Sequence, residues 1–177
     1  MILTQSMFPF QPPTDILPPP LWLLLTGIRD PMNLGTILRS AYYLGVDRVL
    51  VCPEYPTSSL TATVSKASSG VLEIFPPLSV NSGVERYLGA RLAEGWQVLC
   101  ADVGGGGGAK PVLDRPTILL VGAEGAGIPE TLRSLCSESV HLPPGRKLHP
   151  EVDSLNVSVA TALLIDNIMR TRANEVD

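Results

Sequence analysis

Apolar runs separated by short polar punctuation divide the chain into a repeating strand–helix series. Leu21, Trp22, Leu23, Leu24, Leu25 and Thr26 form an unbroken run after three prolines, which predicts a strand buried on both faces. Pro31 opens a predicted helix over 31–44, closed by Gly45. Val46 to Val51 reads as the second strand. Ser58 or Ser59 is placed to cap a helix running to Ser69 and stopped by Gly70. Val71 to Phe75 reads as a third strand, closed by Pro76 and Pro77. Asn81 or Ser82 then caps a helix through Glu94, stopped by Gly95. Further strands are predicted at 96–103, 117–121 and 139–142, with a short helix at 129–136 between the last two. A polar loop, 143–155, leads to a final helix capped by Ser154 and ending near Arg172. Strands alternating with helices predict an α/β fold, a mostly parallel six-stranded sheet with helices on both faces.

Composition narrows this picture. The chain has 177 residues, of which 45% are hydrophobic and 17% charged, so it is expected to fold as one domain with one sound core. Glycine (16) and proline (17) are enriched, and much of the excess sits in the first twenty residues and in the run Gly104–Gly108. Residues 1–20 hold six prolines and no Lys or Arg, and read as a disordered lead-in or linker. They resemble neither a secretory signal nor a mitochondrial presequence, and no window is apolar enough for a transmembrane helix. Domain bounds of 21–172, with a tail at 173–177, follow. Cys52, Cys100 and Cys136 have no metal-ligand spacing and are expected to be buried thiols of a reducing compartment. His141 and His149 are expected to be surface or loop residues.

Candidate chemistry lies elsewhere. The glycine run satisfies a dinucleotide-binding spacing, but the proline-flanked segment after it cannot form the required helix, so it reads as a surface loop. The segment Gly122 to Pro129 follows an apolar strand and carries Glu124, Gly125 and Gly127, placing a carboxylate and a tight turn where open α/β sheets bind ligands. Asn33 sits in the first turn of the first helix, either capping it or pointing into the crevice. Arg39 lies on the same helix, six residues on and so on another face. Asn156, in the first turn of the final helix, is unusual for a packing helix.

Taken in order, these segments resemble the SpoU (TrmH-type) family of RNA 2′-O-ribose methyltransferases. Asp30-Pro31-Met32-Asn33-Leu34-Gly35-Thr36-Ile37-Leu38-Arg39 resembles the family's D-P-x-N-x-G-x-x-x-R motif. Lys66-Ala67-Ser68-Ser69-Gly70 resembles its K-x-S-x-G segment. Leu120 to Ile128 resembles the second motif. Leu142-Pro143, followed by Ser154-Leu155-Asn156-Val157-Ser158, resembles the third. The stretches Leu21–Val51 and Ser65–Phe75 are most similar to the mitochondrial large-subunit rRNA branch.

The resemblance implies a C-terminal deep trefoil knot, S-adenosylmethionine as cofactor, an RNA substrate with ribosomal guanosine favoured, and a homodimer through the final helix. It implies neither a metal nor a membrane, and a mitochondrial or cytoplasmic location. It places the cofactor against backbone groups at Gly122, Leu142 and Leu155, with Gly127 and Pro143 beside them. It makes Arg39 the residue at the ribose hydroxyl, with Asn33, Glu124, Ser154 and Asn156 positioning it and the substrate. An arginine is a poor general base, so Arg39 is expected to stabilise developing negative charge, with Glu124 holding its guanidinium.

Charge shapes the RNA reading. The net charge of −4 predicts weak, salt-sensitive RNA binding by this chain alone, with much of the grip supplied by dimer pairing, an extension or a partner. Arg39 with Lys66, and Arg146 with Lys147, are the clusters where positive charge is expected to meet RNA. The loop 143–153 is longer than in many relatives and reads as an insertion. Many relatives also carry a small RNA-binding domain where this chain has its proline-rich start. Two other readings keep the fold: a tRNA ribose methyltransferase, and a catalytically silent RNA-binding relative. A third, nucleotide binding through the glycine run, lacks its helix.

Overall fold

A computed structural model describes residues 19–102, 112–123, 125, 127–149 and 154–173. The expected glycine-run loop, the residues of the lead-in before Pro19, and Glu124 lie outside the described residues. Along the chain come β1 (Leu21–Leu25), α1 (Pro31–Tyr43), β2 (Arg48–Val51), α2 (Ala62–Ala67), α3 (Val71–Ile74) and β3 (Leu78–Ser79). There follow α4 (Val84–Ala93), β4 (Gln97–Asp102), β5 (Thr117–Val121), α5 (Glu130–Arg133), β6 (Glu138–His141) and α6 (Val157–Ala173). The six strands form one sheet in the order β3-β2-β1-β5-β4-β6, and every pairing is parallel.

The unbroken apolar runs do what their length predicts. All five residues of β1 and all five of β5 are buried, paired from Leu21 opposite Thr117 to Leu25 opposite Val121. Alternation along β1 then sorts its side chains to two cores. Leu21, Leu23 and Leu25 pack with Leu34, Ile37 and Leu38 of α1 and Leu164, Ile165 and Ile168 of α6. Trp22 and Leu24 face the opposite layer, with Val84 and Leu88 of α4 and Leu132 of α5. The rings of Trp22 and Trp96 stand 4.3 Å apart in that second core.

Four expectations are corrected. Val71 to Phe75 is not a strand: Val71–Ile74 is the short helix α3, and the edge strand is Leu78–Ser79, beyond the two prolines. The reason is spacing. Val71, Leu72 and Phe75 face the core while Glu73 and Ile74 face solvent, a helical rather than an alternating pattern. Secondly, Ser58 and Ser59 do not cap a helix. The Ser58 amide donates to the Ile28 carbonyl at 2.7 Å, and α2 starts only at Ala62. Thirdly, Gly83, not Asn81 or Ser82, precedes α4; the carboxylate of Glu54, from the β2 loop, accepts the Val84 amide at 3.3 Å.

Fourthly, Cys100 and Cys136 are not both thiols but a disulfide. Pairing of β6 along β4 and a 2.7 Å bond from the Ser137 amide to the Val98 carbonyl bring the two Cα atoms to 5.9 Å, a closeness that their 36-residue separation hides. Cys52 stays a buried thiol, and burial pushes its pKa up to about 11, so it is protonated and unreactive at neutral pH. The remaining strand and helix ends differ from expectation by one to three residues, most at the end of α5; β6 ends at His141, which leaves Leu142 just outside the strand.

Candidate active site

Because all strands run the same way, the loops after β1, β2 and β5 gather at one end of the sheet. Hydrogen bonds fix them to one another. The Thr26 amide and hydroxyl both donate to the Val121 carbonyl, at 2.9 and 3.1 Å. The Gly27 amide donates to the Tyr55 carbonyl at 3.0 Å. Gly27 has φ +70°, and a Cβ there would approach that of Ala123 to 3.2 Å, so the first loop passes close to the last. These loops enclose a cavity of about 520 Å³, lined among others by Thr26, Asn33, Glu54, Tyr55, Gly127 and Val157.

Helix α1 delivers Asn33 to this cavity. Pro31 occupies its first turn, and Asp30 caps it by accepting the amides of Met32 and Asn33 at 3.1 and 3.3 Å. Capping therefore does not consume the Asn33 side chain. Its Oδ1 accepts a 3.0 Å bond from Nδ2 of Asn156, 123 residues away. Asn156, in turn, caps α6: its Oδ1 accepts the Ser158 amide at 2.9 Å and the Ser158 hydroxyl at 2.6 Å. The cap expected of Ser154 thus belongs to Asn156, and Ser154 lies exposed two residues ahead of it. One carboxamide starts the last helix and ties it to the first.

Arg39 is about 9 Å further along α1, by the helical rise, and on a different face. It is exposed, does not line the cavity, and its Nη1 donates to the Ser69 hydroxyl at 2.9 Å. The partner expected of it, Glu124, lies outside the described residues. Lys66 is exposed in the last turn of α2, beside the Ser68–Ser69 turn. Arg146 and Lys147 are exposed on the loop after β6, beyond the opposite edge of the sheet.

The residues expected at the cofactor divide by the sheet. Gly122 and Gly127 form a closed turn after β5. The Gly127 amide donates to the Ala123 carbonyl at 2.9 Å, and Ala123 and Gly127 pair as an isolated antiparallel bridge. A Cβ on Gly122 would collide with the Gly127 carbonyl group and lie 2.6 Å from the Ile128 nitrogen. Leu142, half-buried, and Pro143 follow β6, on the β4–β6 side of this turn, whereas the cavity lies on the β1–β2 side. Leu155 is exposed just before α6. Of the expected cofactor set, only Gly127 lines the cavity.

Sequence reading missed Ser69, Glu54 and Tyr55. The last holds the cavity wall through a 3.1 Å bond between its hydroxyl and that of Thr131. Ser69 sits at a variable position of the K-x-S-x-G segment and no motif covers the other two, because each acquires its role from a loop folded against a distant element. Among the described residues no group of His, Cys, Asp and Glu is placed to hold a metal, and no helix is long and apolar enough to cross a membrane.

Comparison with known proteins gives these features a context. The model of the SpoU rRNA Methylase family matches residues 20–166. The chain is 35% identical over 173 residues to human "rRNA methyltransferase 1, mitochondrial", a match covering 88% of this chain and 47% of the human protein. It is 38% identical over 158 residues to the Pseudomonas aeruginosa "23S rRNA (guanosine-2'-O-)-methyltransferase RlmB", covering 86% of this chain and 60% of that protein. It therefore spans about half the length of such relatives. Among solved structures, the SpoU methyltransferase AviRb from Streptomyces viridochromogenes in complex with AdoMet superposes with a TM-score of 0.73 at 26% identity, covering 90% of this chain and 63% of that one.

Proposed function

Since the chain belongs to the SpoU rRNA methylase family, we propose that residues 21–172 form a catalytic domain that transfers methyl groups from S-adenosylmethionine to a ribose 2′-hydroxyl of RNA, guanosine in ribosomal RNA being favoured. The observation that carries this reading is the bond from Asn156 to Asn33, which joins the first and third motifs at the rim of a cavity of active-site size.

The β5 turn has the character of a cofactor shelf. Gly122 leaves bare backbone where any side chain would clash, which suits a ligand gripped by peptide groups. In this reading Gly122, Leu142, Pro143 and Leu155 hold the cofactor together with Gly127, which also lines the cavity, and the ribose enters the cavity from the β1–β2 side. Bound S-adenosylmethionine supplies an electrophilic methyl group. Asn33 and Asn156 orient the nucleotide together with Ser154, two residues before Asn156, and Glu124 of the second motif, and Arg39 stabilises negative charge on the acceptor oxygen or its phosphate. Lys66, Arg146 and Lys147 contact the RNA backbone.

The family's trefoil knot belongs to the same proposal. Strand β6 lies at the sheet edge beyond β4, whereas α6 packs with α1 against β1. This separation of β6 and α6 along the sheet is the feature that supports the reading. Homodimerisation through α6 is supported by Val159 and Leu163, which lie one helical turn apart and stay 47% and 44% exposed. A Leu163→Asp protein is expected to run as a monomer in light scattering with an unchanged thermal midpoint at low concentration; a persistent dimer would remove α6 from the interface. Mitochondrial residence is inferred from the human relative.

The direct test is incubation with methyl-labelled cofactor and total ribosomal and transfer RNA, followed by mapping of the label. Label on the 2′-oxygen of a ribosomal guanosine is the expected result. Label on transfer RNA would change the substrate but keep the chemistry. Absence of cofactor binding in calorimetry would leave only an RNA-binding module.

A further inference from the structure

We propose that Ser69 is a positioning residue for Arg39, presented by a strained turn whose task is to aim the guanidinium; the inference rests on the methyl-transfer reading above. Ser69 has φ 54°, and it is the one non-glycine residue in the left-handed region among the described residues. Serine adopts that conformation at a cost, and glycine does so freely. The next residue, Gly70, has φ +84° and already provides such a position. What serine adds to the turn is its hydroxyl, whose Oγ accepts the 2.9 Å bond from Nη1 of Arg39.

The surroundings hold the turn in place. Ser68 is fully buried; its hydroxyl donates to the Ser65 carbonyl at 2.9 Å and accepts the Leu72 amide at 3.2 Å. The Gly70 amide returns to the same Ser65 carbonyl at 3.0 Å, and the Ser65 hydroxyl donates to Glu73 at 2.5 Å. Strain fixed in this way by its neighbours is characteristic of functional sites.

The spacing of the first motif acquires a physical reason. Gly35 lies four residues before Arg39, on the same face of α1. A Cβ on Gly35 would come within 2.5 Å of the Ala67 Cβ and 2.8 Å of the Val64 carbonyl oxygen. The bare backbone of Gly35 therefore lets α2 sit close enough for Ser69, just past its end, to reach Arg39 one turn further on. The Ser69 hydroxyl accepts from Arg39 and retains its own proton for another acceptor, such as a ribose or phosphate oxygen.

Two variants separate aim from fold. Ser69→Ala removes the hydroxyl and keeps the strain, whereas Ser69→Gly removes both. Both are expected to lower kcat about tenfold with cofactor affinity unchanged, the size of one lost charged hydrogen bond, while the glycine variant melts higher than the alanine variant. In an Arg39→Ala background, Ser69→Gly should change kcat no further. Wild-type turnover in Ser69→Gly, or an equal fall in the Arg39→Ala background, would overturn the proposal. A wild-type protein without methyl transfer would instead sink the reading on which it rests.

Discussion

Arg39→Ala is expected to lower kcat for RNA ribose methylation by about a hundredfold or more, the range seen when a preorganised donor to developing negative charge is removed. Three quantities can be measured separately. Stability should hardly change, because the guanidinium is exposed and, among the described residues, bonded to a single hydroxyl, that of Ser69. Cofactor affinity should also hold, since the Gly122 turn lies after β5 and Arg39 lies neither there nor in the cavity. The loss should therefore fall on turnover. Arg39→Lys tests the geometry: a lysine keeps the charge but loses the planar fork, so it should recover only part of the rate. A variant with near-normal kcat and intact cofactor binding would remove Arg39 from the chemistry. A variant that loses cofactor binding would instead make it a structural residue.

The elements legible in the sequence are those whose environment is uniform. β1 and β5 are buried on both faces, so an unbroken apolar run suffices to find them, and Thr117–Val121 matches its predicted bounds. Val71 to Phe75 misleads because five residues cannot distinguish a two-residue from a helical period when prolines follow directly. The cap of α6 is ambiguous because Ser154 and Asn156 are both good caps locally; the bond to Asn33 selects Asn156. The disulfide and the Ser69–Arg39 bond are hidden for a shared reason. Each joins segments that meet only when the sheet brings β6 beside β4, or α2 beneath α1. The family resemblance, by contrast, puts Asn33 and Asn156 in one site, and their side chains do meet.

Gly122→Ala is the second large effect expected, and it acts by contact rather than by backbone conformation. The added methyl would collide with the Gly127 carbonyl group and lie 2.6 Å from the Ile128 nitrogen. Those are backbone atoms, so no side chain can swing aside. The turn must open and the Ala123–Gly127 bridge must break. Overpacking of this kind costs about 1–3 kcal/mol of stability. Separately, a displaced shelf loses backbone contacts to the cofactor, and a loss of about 1.4 kcal/mol in those contacts lowers affinity about tenfold. Gly125→Ala, in the same turn, is the control. It has φ +77° but nothing within 4 Å of the place its new Cβ would occupy, so it carries only the left-handed penalty of about 1–2 kcal/mol. Thermal denaturation should then show both variants weakened, while calorimetry with S-adenosylmethionine separates them: affinity falls for Gly122→Ala and is largely kept for Gly125→Ala. Equal affinity in both would mean that the cofactor does not rest on this turn, and the shelf would have to be sought on the cavity side, among Thr26, Asn33 and Tyr55.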